Sequence, residues 1–201
     1  MEFDPAKGNA MLKLRYNTPL EWVKVVDEDL NTFLRDHAHN ERKVAAAALT
    51  LVAHQPNRPK LVHALIDLAR EELSHFRAVL TRLEETDDWI GHDEPDPYMT
   101  ALHKLIRRKD SEHYLLDRLL VFGLVEARGC ERFYMLGQHM KDAGWREFYA
   151  GLAKAEARHH GLFIRLARHY FSEDVIRNRV DELLTAEAEI AQALPLRAAL
   201  H

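Results

Sequence analysis

The sequence predicts an all-α fold. Three observations carry this: the chain is rich in the strong helix formers Ala, Leu, Glu and Arg, with only eight Gly and seven Pro; its apolar residues recur at spacings of three and four rather than alternating; and a few breaks bearing Pro, Asp or Gly divide it into long segments.

Taken in order, Thr18, Pro19 and Glu21 read as a capping box with proline in the first turn, so a first amphipathic helix is expected from about 19 to 34. Asp36 is the expected cap of a second helix, which HQPNRP ends near His54. A third helix, from about 59 to 85, completes a helical hairpin. The acidic, proline-bearing stretch TDDWIGHDEPDPYMT is too long for a tight turn and reads as a crossover, followed by a short helical piece ending near Arg107-Arg108-Lys109. Asp110 then caps a helix to about Met140, KDAG makes a turn, and a partner helix from about Trp145 to His169 closes a second hairpin. Ser172 is the expected cap of a last helix, which Val175, Ile176, Val180, Leu183, Leu184 and Ile190 make amphipathic.

Bulk properties narrow the function. A chain of 201 residues, 47% hydrophobic, can build one core, and a single domain over 1–201 is expected. The formal charge of −4 argues against a strongly basic nucleic-acid binder, although a local basic face can sit within an acidic total. Cys130 is the one cysteine, which excludes an internal disulfide, a Cys-based zinc site and a Cys-ligated iron–sulfur cluster. The opening MEFDPAKGNAMLKLRYNTP lacks a signal-peptide pattern and no apolar run approaches the ~18 residues of a spanning helix, so a cytoplasmic protein without a membrane partner is expected.

Two Glu-x-x-His units stand out, Glu72 with His75 in REELSHF and Glu156 with His159 in KAEARHHG. With 18 Glu and 13 His, about one such unit would arise by chance, so position has to decide their meaning. Both fall in apolar stripes. The third helix reads Leu61, Leu65, Leu68, Glu72, His75, Val79, Leu83, and the partner helix of the second hairpin reads Phe148, Leu152, Glu156, His159, Phe163, Leu166. The other helix of each hairpin interrupts its stripe with one inward acid: Glu41 among Leu34, His37, Val44, Ala48 and Leu51, and Glu126 among Leu115, Leu119, Phe122, Cys130 and Phe133. Glu41 and Glu72 each stand about 23 Å from the first turn, at ~1.5 Å per residue, and Glu126 and Glu156 are level about the second turn in the same way.

Four inward carboxylates at one level would be strongly destabilising unless protonated or bound to cations. One Glu from each of two helices and a Glu-x-x-His from each of the others is the ligand set of the ferritin-like di-iron or di-manganese bundles. The expected architecture is therefore a ferritin-like four-helix bundle of two hairpins joined by a long crossover, with additional N- and C-terminal helices. Glu41, Glu72, His75, Glu126, Glu156 and His159 are the expected metal ligands and, through the metal pair, the catalytic residues. Paired ferrous ions in such a site can reduce dioxygen together.

NERKVA, REELSHF, LLVFGLVEARGCERF and KAEARHHG, with the length of about 200 residues, resemble the tRNA hydroxylases of the MiaE type over most of the chain. The resemblance implies dioxygen-dependent hydroxylation of the isopentenyl side chain of 2-methylthio-isopentenyl-adenosine beside the anticodon. It also implies two iron ions per chain, with the six residues above as their ligands. Because no flavin or nucleotide fingerprint is visible, electrons would come from an external donor, a reductase or ferredoxin. The tRNA anticodon loop would be the macromolecular partner. The alternative is a ferroxidase or small-molecule di-iron oxidase without a tRNA partner, and a more distant one is a helical scaffold without metal.

Other residues receive blander readings. His37 and His160 are not expected to ligate, Glu131 falls off the stripe, and Asp110 with His113 reads as a helix cap. Cys130, Tyr134, Trp145 and Tyr149 read as core. Arg107-Arg108-Lys109 and the set Arg165, Arg168, Arg177, Arg179 are candidate phosphate contacts, though such runs are usually solvated faces.

Overall fold

A computed structural model describes residues 12–201. The reading of the first residues for targeting signals therefore lies largely outside the described part. Seven α-helices are present among the described residues: α1 (Glu21–Glu28), α2 (Leu30–His54), α3 (Pro59–Glu84), α4 (Pro97–Lys104), α5 (Ser111–His139), α6 (Ala143–Ala167) and α7 (Glu173–Ala193). None of them is long and apolar enough to cross a membrane. The chain divides into two compact units, one of Val25–Pro95 with Arg197–Leu200, the other of the described residues up to Lys24 with Asp96–Leu196 and His201.

The first unit is built on the hairpin α2–α3. Leu34, Leu51, Leu61, Leu65, Val79 and Leu83 are fully buried along it, the stripes expected from their spacing. Its turn is closed by the Gln55 amide donating to Leu51 O, by Arg58 Nε donating to Gln55 Oε1, and by Pro59 opening α3, where a missing N–H costs nothing. The crossover that follows is irregular. Gly91 sits there at φ 62, where a side chain would be strained, and Asp93 accepts from both Arg42 and Lys43 of α2.

Two expected helix starts are corrected. The break falls at Asp29 rather than near residue 35, because the Asp29 carboxylate accepts from the Thr32 amide and caps α2 there. Asp36 lies inside α2, its carboxylate taken by Asn40 Nδ2 at 2.9 Å and the Leu200 amide at 2.6 Å. Nor does Thr18 form a capping box with Glu21. Its amide and hydroxyl both donate to Glu131, 113 residues away in sequence, at 2.6 and 2.8 Å.

The second unit is built on the hairpin α5–α6. Asp110 caps α5 by accepting from the His113 amide, and Asp142 caps α6 by accepting from the Trp145 amide. The helices approach closely at Gly137, where a Cβ would meet Ala150 N at 2.9 Å, so no larger residue fits without shifting backbone. Trp145, Phe148, Tyr149 and Phe133 pack ring on ring beneath the turn, which makes Tyr149 a core residue, as its helical spacing suggests. Asp96 caps α4 and Pro97 opens it. Ser172 occupies the N-cap position of α7 but makes no capping hydrogen bond through its side chain. The inner face of α7 carries Ile176, Val180, Leu183 and Leu184, buried as expected, while Val175 is exposed.

Candidate metal centre

In the first unit, α2 and α3 bring Glu41, Glu72 and His75 together. Both acids are buried, and the three residues each offer a ligand atom within 4.8 Å of the others. His75 Nδ1 lies 3.5 Å from Glu72 Oε2 and 3.6 Å from Glu41 Oε2. Glu41 Oε1 accepts a 2.7 Å hydrogen bond from Nε2 of His37, one turn earlier and wholly buried. That bond holds the Glu41 carboxylate in one orientation.

In the second unit, α5 and α6 assemble a matching trio of Glu126, Glu156 and His159, all buried, again with ligand atoms within 4.8 Å of one another. His159 Nδ1 stands 2.9 Å from Glu156 Oε2 and 3.9 Å from Glu126 Oε2. Local sequence explains both placements. Each acid takes the place of an apolar residue in a stripe of period three to four, and the three-residue step puts each histidine beside its acid on the same helix face.

Two carboxylate oxygens and one imidazole nitrogen per trio form an oxygen-rich donor set of the kind that suits iron or manganese rather than copper(I) or a structural zinc. The residues present thus fit a carboxylate-rich metal site by their chemistry.

Beside the second trio, Phe122 and Phe163, one turn from Glu126 and His159, stack at 5.0 Å with planes 4° apart. Cys130 is buried with Sγ 3.5 Å from Ala153 O, and burial, followed by the charges of Glu156 and Glu126, pushes its thiol up to about 12. It is a packed, inert thiol, as expected. Glu131 binds Thr18 and Arg128, and the His160 side chain lies outside the described part.

The basic residues divide. Arg107 donates to Asp117 from its amide, Nε and Nη2 at 2.7–2.9 Å, and Arg179 joins the same carboxylate at 2.9 and 3.0 Å. Arg168 pairs with Glu173 and Arg177 with Asp174. Arg107 and Arg179 are therefore tied to Asp117, whereas Arg108 and Lys109 are exposed. Sequence reading missed Arg128, a fully buried guanidinium held by Glu187 and Glu131.

Residues 8–201 match the family described as tRNA-(MS[2]IO[6]A)-hydroxylase (MiaE). A tRNA 2-(methylsulfanyl)-N(6)-isopentenyladenosine(37) hydroxylase of Pseudomonas putida is 35% identical over 88% of this chain and 85% of its own length. One of the same name from Salmonella typhimurium is 29% identical over 58% of this chain and 42% of its own. Among solved structures, a Synechococcus protein described as having aldehyde deformylating oxygenase activity superposes with a TM-score of 0.89 and 34% identity, covering 94% of each chain. The fold is accordingly all-α and ferritin-like. By its match over nearly the whole chain, this protein belongs to the MiaE family of tRNA hydroxylases.

Proposed function

We propose that this protein hydroxylates the isopentenyl side chain of 2-methylthio-isopentenyl-adenosine in tRNA, as a non-haem di-iron monooxygenase of the cytoplasm whose residues 1–201 act as one domain. The observation that carries this reading is the pair of matching Glu, Glu, His trios in a chain of the MiaE family. In this reading Glu41, Glu72, His75, Glu126, Glu156 and His159 would hold the iron. The iron, once bound and reduced, supplies activation of dioxygen for insertion into a C–H bond. Electrons come from a separate reductase or ferredoxin.

The chain's own residues do the rest. His37 keeps the Glu41 carboxylate in one orientation through its 2.7 Å hydrogen bond. The Phe122–Phe163 stack offers an apolar wall one turn from Glu126 and His159, suited to a branched hydrocarbon side chain and to excluding water. A base in the single-stranded anticodon loop can reach such a wall without the cost of opening a duplex.

The test is reconstitution with ferrous iron under anaerobic conditions, then reductant, labelled dioxygen and tRNA bearing the substrate nucleoside. The expected result is two irons per chain and one labelled oxygen atom in the nucleoside. Dioxygen consumption with no label in the nucleoside would move the reading to a ferroxidase or small-molecule oxidase.

A further inference from the structure

Arg118 occupies α5 two turns before Glu126, and no step above uses it. Its guanidinium lies 4.9 Å over the ring of Phe122, and its Nε is shut off from solvent with no hydrogen-bond partner among the described residues. The neighbouring carboxylate, Asp117, is already held by Arg107 and Arg179. Arg118 instead feels the positive charge of Arg108. Burial, the largest effect, makes its proton less tightly held than an ordinary arginine's; Tyr114 opposes this, and the smaller charge effect of Arg108 adds to it. His103 of α4 is likewise lowered by burial, then by Arg118 and Arg108, against a smaller opposing effect of Asp96.

A guanidinium stacked on an aromatic ring, with a buried N–H still to satisfy and two more basic groups near it, is built for an anion with several acceptor oxygens. Its position says which anion. At ~1.5 Å per residue, Arg118 stands about 12 Å along α5 from Glu126, with the Phe122–Phe163 stack between them. Trio, aromatic wall and guanidinium thus lie in a row within one unit. A nucleotide whose hydrocarbon side chain reaches the trio along that wall brings its sugar–phosphate end toward Arg118.

We propose that Arg118 binds a phosphodiester of the substrate RNA next to the modified base, with Arg108 and His103 completing the subsite, so that it positions the nucleotide for hydroxylation. The inference rests on the tRNA reading above and adds the residue that sets where the backbone sits.

The experiment compares wild-type holoprotein with Arg118→Met, which keeps a long apolar stem over Phe122, and Arg118→Lys, which keeps the charge. Binding of an anticodon stem-loop RNA carrying 2-methylthio-isopentenyl-adenosine is followed by fluorescence anisotropy across a salt series, alongside steady-state hydroxylation. Arg118→Met should weaken binding by about 10- to 150-fold, the strength of a charge-assisted hydrogen bond. It should also flatten the slope of log K against log salt by about 0.7, the value for one neutralised phosphate of a single strand. Arg118→Lys should recover the slope but not all the affinity. The loss should appear mainly in KM, and the wild-type advantage should shrink with the free nucleoside, which has no phosphodiester. An unchanged slope and affinity in Arg118→Met, with wild-type protein turning over the RNA, would overturn the assignment of Arg118 alone. Should Arg118→Met not fold, a slope for Arg118→Lys that differs from wild type would overturn it and a matching slope with weaker binding would support it. If wild type neither binds nor hydroxylates the RNA, the tRNA reading falls and this inference with it.

Discussion

Helix α5 buries charge on two sides and treats it differently on each. Toward α7, Asp117 is held by Arg107 and Arg179, and Arg128 by Glu187, which also accepts from Tyr98 at 3.0 Å, and by Glu131. Each of those acids meets a guanidinium. Toward α6, Glu126 and Glu156 meet one imidazole, His159, within their trio. Eleven residues separate Asp117 from Arg128, close to three full turns, so both land on the α7 side. Buried charge of the two kinds is told apart by its partners. Acids matched by arginine are closed ion pairs with a structural role, whereas acids grouped with a histidine form a donor set that a cation could complete.

Breaking the α6 side should have the largest effect, and on activity. Glu126→Ala or Glu156→Ala removes one carboxylate donor from the trio. Each variant should lose hydroxylation of the tRNA nucleoside altogether and bind less iron after anaerobic reconstitution, while remaining helical by circular dichroism. Iron analysis and labelled-oxygen turnover check this together. Full iron and full oxygen reactivity in both variants would show the ligands to be elsewhere.

Breaking the α7 side should act on stability instead. Arg128→Met leaves Glu187 buried without its guanidinium, which costs roughly 3–5 kcal/mol when one partner of a buried pair is removed. Urea denaturation should register that loss, whereas iron bound per folded chain should match wild type. Adding Glu187→Gln to Arg128→Met should restore part of the stability, because the stranded charge is then gone. A larger loss in the double variant than in Arg128→Met would contradict the closed-pair reading.

The two sides also differed in how legible they were from the sequence. The acids toward α6 could be read because each interrupts a regular apolar stripe, and the Glu-x-x-His step is local, so one helix carries enough information. The cap Asp110 and the break before Pro59 were legible for the same reason, whereas α4 starts at Pro97, inside the stretch read as connection. The α7 side was not. Arg128 meets Glu187 across 59 residues and Glu131 meets Thr18 across 113, and a charged residue on an amphipathic helix looks like surface until a partner elsewhere buries it. The misplaced start of α2 has a related cause. Asp29 and Asp36 are equally good caps in sequence, and the choice between them was made partly by Leu200, whose amide occupies Asp36.

A milder break on the α7 side is Asp117→Asn. Burial alone would raise the Asp117 carboxyl, but the hydrogen bonds from Arg107 and Arg179 outweigh it and hold the group below the usual carboxylate range. A depressed folded value means that its stabilisation is complete above the unfolded value of about 3.9 and is lost as pH falls through the lower folded value. Asp117→Asn should therefore cost about 1–3 kcal/mol near neutral pH, the range for losing charged hydrogen bonds. The gap to wild type should close in acid, below about pH 3–4. A gap that widens on acidification would reverse the sign of this contribution.

The smallest effect on stability, and the sharpest division, concerns the basic run itself. Arg107 is pinned to Asp117 by three hydrogen bonds, whereas Arg108 and Lys109 are exposed and Arg108 adds its charge to the surroundings of Arg118. Three consecutive cations thus serve different sides of α5. Replacing Arg108 and Lys109 by Ala should change folding stability by no more than about 0.5 kcal/mol, as for ordinary surface substitutions. The same double variant should flatten the salt dependence of RNA binding by roughly 0.7 to 0.9 log units per log salt for each phosphate that is no longer neutralised. Arg107→Ala should do the reverse, lowering the denaturation midpoint because Asp117 loses part of its neutralising charge, while the salt slope stays close to wild type. Salt-series anisotropy and urea melts on the two variants separate the roles. A salt slope that falls for Arg107→Ala but not for the double variant would mean that the ion pair opens to meet RNA, and that the α7-facing cluster is not closed at all.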